Sequence, residues 1–130
     1  MPKSRKLEET LSILAQIREH PTSEEGIIIL RQVLKSKYSM AVAQAAKIVG
    51  ESTITELVGD LVEAFARMMV KPIQVDQNCL AKKEIAQALY HLEYSDENLF
   101  LQGIRHIQME PVWGGEELKI LLPIFGVYVL

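Results

Sequence analysis

Apolar residues recur at helical spacing along most of the chain. Leu7, Leu11, Leu14 and Ile17 predict an amphipathic helix over about residues 5–19, stopping near His20-Pro21, because the residue before a proline is pushed out of the α region. Thr22 with Glu25, and again Thr53 with Glu56, match the capping box, in which a hydroxyl and a carboxylate reciprocally satisfy free N–H groups at a helix start. These predict two helix starts about 31 residues apart. After the first, Ile27, Leu30 and Leu34 form a stripe, and a second helix is expected from about Tyr38 to Val49, stopped by Gly50. After the second, Ile54, Leu57, Val58, Leu61, Phe65, Met68 and Met69 make a longer stripe that ends at Lys71-Pro72.

A polar loop from Gln74 to Asn78 precedes a further helix over about Cys79 to Leu92. Another is expected from Ser95 or Asp96, turning Phe100, Ile104 and Ile107 inward and ending before Pro111. Residues 118–130 hold Leu118, Leu121, Leu122, Ile124, Phe125, Val127, Tyr128, Val129 and Leu130, and read equally as a helix broken at Pro123 or as a β-like extension.

The second helix of each pair repeats at an offset of 40: Ala41 falls on Ala81, Ala45 on Ile85, Ile48 on Ala88 and Val49 on Leu89. First helices align less evenly, Leu30 on Leu61 and Phe100, Leu34 on Phe65 and Ile104, because the loops differ in length. Small residues at Ala45, Ala46, Ala81, Ala86 and Ala88 permit close helix approach, and the bulkier first helices fill the space between layers. One such pair cannot bury its apolar face alone. Stacking neighbouring pairs does so, which predicts an all-α fold of stacked helix pairs, an α-α superhelix in one domain spanning residues 1–130.

The stretches Ala45-Ala46-Lys47-Ile48-Val49-Gly50 and Ile85-Ala86-Gln87-Ala88-Leu89 resemble the Ala-rich second-helix pattern of the HEAT and armadillo-like repeat family, over roughly residues 22–108. The chain is also similar to small uncharacterised bacterial HEAT-like proteins through Phe100-Leu101-Gln102-Gly103-Ile104-Arg105-His106 and Glu110-Pro111-Val112-Trp113-Gly114-Gly115. The family resemblance implies a curved stack that usually binds proteins, with some members binding nucleic acid or serving as bilin-chromophore lyases. It carries no catalytic motif. The departure is Tyr90 where a helix-ending glycine is common and where the earlier copy has Gly50.

Composition narrows the class. At 48% hydrophobic and 24% charged residues the chain is of globular type, and its 130 residues fit one core. With 14 Lys+Arg against 17 Asp+Glu, the net charge of −3 gives no general attraction to nucleic acid. The lone Cys79 forms no intramolecular disulfide, which suits a reduced cytoplasm. The basic residues Lys3, Arg5 and Lys6 lead into a charged periodic segment instead of an export signal's apolar run, and the apolar stretch Ile120 to Leu130 is short for a membrane span.

Opposite the apolar stripe of the second helices lie Gln44, Lys47 and Glu51, and at the offset of 40 Glu84, Gln87 and His91. These six are the candidate binding groove for a polar peptide or protein surface, against the plainer reading of a solvated helix face. Glu110 and Trp113 form a second candidate, a loop presenting an aromatic anchor or else an end cap. Lys82 and Lys83 with Arg67 and Lys71 suggest a local basic patch, diluted by Glu84. His20, His91 and His106 have no metal-ligand spacing, Cys79 reads as a small hydrophobe, and no phosphate loop or nucleophile elbow occurs. No catalytic residue, metal or cofactor is therefore expected. A non-enzymatic protein-binding or scaffolding module leads, ahead of a lyase-like or small-ligand protein with a pocket joining Cys79, Tyr90 and His91, and of a nucleic-acid binder.

The apolar C-terminal stretch generates the first prediction. At about 1.5–3 kcal/mol for each large side chain fully buried, exposure of the whole segment is too costly: residues 118–130 either fold back on the last helix pair or make a two-fold contact between copies, and the stretch is longer than a cap requires, which favours the dimer. Sedimentation at micromolar concentration is expected to show a dimer that becomes a folded monomer when residues 118–130 are deleted; a full-length monomer refutes the contact.

Overall fold

The computed structural model describes residues 2–70, 80–94, 108–111 and 117–120. Among the described residues five α-helices build the core: α1 (Pro2–Ile17), α2 (Glu24–Leu34), α3 (Ser39–Glu51), α4 (Val58–Met68), led in by a 3-10 turn at Thr55–Leu57, and α5 (Leu80–His91). Contacts run from α1 to α3 to α5 and from α2 to α4, with α2 also on α1 and α3 and α4 on α5, so the helices form two layers. The most extensive contact is between α3 and α5. Among the described residues every member of the buried apolar cluster, from Leu14 to Leu89, lies on these helices or the turns between them.

Residues related by the offset of 40 are buried alike. Ala41 and Ala81, Ala45 and Ile85, Ala46 and Ala86, Ile48 and Ala88, and Val49 and Leu89 are all buried. Gly50 departs from its expected role, because α3 runs through it to Glu51. A Cβ built on Gly50 would stand 2.9 Å from the Cα of Ala88 and 3.0 Å from its Cβ, so the glycine permits two helix backbones to approach.

The turn that ends α3 lies three residues later. Thr53 takes φ 49°, its N–H donates to the Gly50 carbonyl at 3.3 Å, and the Ile54 N–H donates to Val49 O at 3.1 Å. The same pair of bonds closes α5: Glu93 at φ 58° donates to Tyr90 O at 3.0 Å and Tyr94 to Leu89 O at 3.0 Å. This is the Schellman pattern, built without glycine at the left-handed position in either copy, and all four positions repeat at the offset of 40. Tyr90 is therefore no anomaly: it sits inside the helix, as Gly50 does.

Neither capping box forms as expected. Ser23, not Thr22, caps α2, its Oγ accepting from the Gly26 N–H at 3.0 Å and donating to His20 O at 2.8 Å. The third helical position thus falls on Gly26 instead of Glu25, and a Cβ there would lie 2.8 Å from the carbonyl oxygens of His20 and Pro21. Thr53 belongs to the end of α3, its hydroxyl donating to Ser52 O at 2.8 Å, and neither the 3-10 turn nor α4 has a side-chain cap.

Beyond the helices, Gln108–Pro111 and Glu117–Ile120 pair as an antiparallel hairpin with Gln108 opposite Ile120 and Pro111 opposite Glu117. A helix continuing to Pro111 is thereby corrected: Glu110 precedes a proline, which favours extended backbone, and Leu118-Lys119-Ile120 alternates with the period of a strand. Of the two readings of residues 118–130, Leu118 to Ile120 take the extended one. The rest of that segment, the stretch expected as a helix from Ser95, and the basis of the dimer expectation in residues 121–130 lie outside the described residues. No helix among the described residues is long and apolar enough to cross a membrane.

Two stability changes follow from these backbone positions. Gly50→Ala gains about 1 kcal/mol of helix propensity but overpacks the α3–α5 contact at a cost of about 1–3 kcal/mol, so the urea midpoint is expected to fall; an unchanged or raised midpoint would show that α5 shifts aside freely. Thr53→Gly releases a β-branched residue from positive φ and is expected to stabilise by roughly 1 kcal/mol, read as a higher midpoint at constant slope.

Candidate functional site

The close approach at Gly50 and Ala88 shapes the cleft above it. Helix periodicity puts Gln44, Lys47 and Glu51 on one edge of α3, all exposed, while Ala45, Ala46, Ile48 and Val49 are buried. On α5 the same phase exposes Gln87 and His91 and leaves Glu84 half-buried. Lys47, Glu51, Glu84, Gln87 and His91 line one cleft of ≈ 190 Å³, floored by Ala46, Gly50 and Ala88. Five of the six residues expected at the groove are thus brought together.

Gln44 is the exception. It lines a neighbouring depression of ≈ 240 Å³ on the other side of the same α3 edge, with Leu11, Leu14 and Ala15 of α1, Arg18 just beyond α1, and Met40 and Ile48 of α3. The two depressions are joined electrostatically at their end, where Arg18, just beyond α1, reaches Glu51 at 4.0 Å. Both partners are more than half exposed, so this pair orients the rim more than it stabilises the fold. The α1 side of the surface was missed in sequence, although Met40 lies four residues before Gln44 and is 47% exposed, an apolar side chain on an otherwise polar edge.

Charge in the cleft is mixed: one lysine and two carboxylates, with Gln87 and His91 able to donate and accept. Among the described residues, no group of three His, Cys, Asp or Glu side chains converges as metal ligands would. Tyr90 does not line the cleft; it is 75% exposed, with its ring edge-on to that of His91 at a centroid distance of 6.2 Å. Cys79, the third member of the expected small-ligand pocket, lies outside the described residues, as does Trp113; Glu110 is in the first hairpin strand, opposite Leu118.

The expected basic patch does not assemble. Lys82 is fully buried, its Nζ donating to Met68 O at 3.3 Å at the end of α4. Arg67 is turned the other way, donating to Leu34 O at 2.6 Å and Ser36 O at 3.2 Å. Two of the four cations thus serve helix ends, where the carbonyls left without intrahelical donors attract positive charge. Lys83 is exposed, and Lys71 lies outside the described residues.

Against this geometry, comparison with protein-family models, curated proteins and solved structures finds no match for the chain.

Proposed function

We propose that the chain is a HEAT-like repeat module that binds a protein or peptide partner across the exposed edges of α3 and α5 and has no catalytic role of its own. The observation that carries this reading is the cleft, in which polar side chains from equivalent positions of the two repeats line a floor of small residues. Such a floor admits a partner's backbone or side chains close to α3 and α5, and the donors and acceptors around it satisfy a polar chain. The repeat reading is supported by the matching Schellman ends of α3 and α5 and by five buried pairs at one offset. A lone cysteine suits work in a reduced cytoplasm.

Lys47→Glu combined with Gln87→Glu reverses one charge and adds another on opposite walls of the cleft, at exposed positions where the fold is indifferent. A protein captured by the wild-type chain from a lysate of its own cell, identified by mass spectrometry and then purified, is expected to bind the double variant about tenfold or more weakly, with circular dichroism unchanged. Equal affinity for both chains moves the site off the α3–α5 edge.

A further inference from the structure

The largest of the three depressions described lies apart from that edge, between α1 and α2, and its chemistry differs. It measures ≈ 640 Å³, and its apolar part is supplied by Ile13 of α1 and by Ile29 and Val33, one turn apart on α2. Ile13 is 42% exposed, so this surface is open to a partner. Its rim carries Lys6 of α1 and Lys35 and Lys37 just beyond α2, and among the described residues no carboxylate lines it. Three cations without an anion are unusual on a chain whose net charge is −3.

Three further observations make the trough receptive to negative charge. None of the three lysines forms an ion pair among the described residues, whose pairs are Arg5–Glu9, Arg18–Glu51 and Arg31–Asp60. The carbonyls at the end of α2, which would repel a carboxylate, are already engaged, Leu34 O and Ser36 O by Arg67. The Lys37 ammonium stands 5.6 Å from the centroid of the Tyr38 ring, a contact that limits its wandering.

We infer that this trough docks an acidic amphipathic segment of a partner protein, apolar side chains on Ile13, Ile29 and Val33 and carboxylates toward Lys6, Lys35 and Lys37. An apolar floor between two helices suits a short amphipathic helix, whose anchors at i, i+4 and i+7 present one apolar line with acidic flanks. Charge complementarity selects the acidic class, and the apolar floor distinguishes it from a free anion. The site is separate from the α3–α5 cleft and does not depend on it.

The test is fluorescence anisotropy with a labelled synthetic helix carrying Leu at i, i+4 and i+7 and Glu on its flanks, beside the same helix with Lys replacing Glu. The acidic helix is expected to bind the wild-type chain, the basic one not, and the affinity to fall as salt rises. Lys6→Glu, Lys35→Glu and Lys37→Glu together are expected to weaken binding by about tenfold or more with circular dichroism unchanged, and Ile13→Ser alone to weaken it without altering the salt dependence. The Lys47→Glu, Gln87→Glu chain is expected to bind the acidic helix as wild type does, which separates this site from the cleft. The inference is overturned if the acidic helix does not bind, if both helices bind alike, or if the triple variant binds as well as wild type. It is equally overturned if the chain ignores the acidic helix but sediments with phosphatidylglycerol vesicles in a manner lost in the triple variant, since the lysines then serve a membrane surface.

Discussion

The approach of α3 to α5 at Gly50 and Ala88 is the constraint on which the rest of the described structure depends. With a Cβ of Gly50 excluded by the Ala88 backbone, the two helices meet almost main chain to main chain, and their flanking residues must be small or matched in shape. Ala41, Ala45, Ala46, Ala81 and Ala86 meet that demand and are all fully buried. Volume removed from this layer is restored in the other, where Leu30, Leu34, Leu61, Phe65 and Met68 fill the space between α2 and α4 and their neighbours. Close packing of one layer thus sets the side-chain size required of the second. It also decides how shallow the cleft above α3 and α5 is, because its floor is the same glycine and alanine seen from outside.

Helix ends supply the second kind of order. Arg67 of α4 donates to the last carbonyl of α2, and Lys82 of α5 donates to the last helical carbonyl of α4, so the ends of α2 and α4 are each closed by a cation from a later helix. Each bond joins the negative end of one helix dipole to a positive side chain from another element, which ties neighbouring units in register as well as in contact. Lys82 occupies the place equivalent to Val42 at the offset of 40, both buried. An aliphatic stem replaces the valine's contacts and an ammonium reaches the α4 end, so one position serves core and cap together.

Helix identity and the candidate cleft were legible in sequence because both rest on periodicity: apolar stripes fix which face is buried, and the polar remainder of α3 and α5 then fixes Lys47, Glu51, Glu84, Gln87 and His91. Features set by tertiary approach were not. Gly50 reads locally as a helix stop, and only the position of Ala88 on another helix reveals why a glycine stands there. Thr22-x-x-Glu25 satisfies a capping pattern, yet the carbonyls of His20 and Pro21 folding over Gly26 move the start to Ser23. Lys82 looks like surface charge because sequence offers no sight of the α4 carbonyl it meets. Gln44 shares the phase of the groove residues but stands nearer α1 than α5, a distinction that the linear offset between two helices does not contain.

The same two-layer packing accounts for the chemical contrast between the surfaces it leaves open. Along α3 and α5, small residues dominate the buried face, so the exposed positions alternate around a narrow floor and carry both signs of charge. Between α1 and α2, Ile13, Ile29 and Val33 line a larger trough. Arg67 is committed to the α2 end and Lys82 to the core, so neither adds to a general basic field. The cations left outside ion pairs at Lys6, Lys35 and Lys37 therefore give that trough a local sign opposite to the net charge of the chain. A partner distinguishing the two surfaces would do so by charge first and by shape second, since screened attraction acts over about 10 Å before side chains touch.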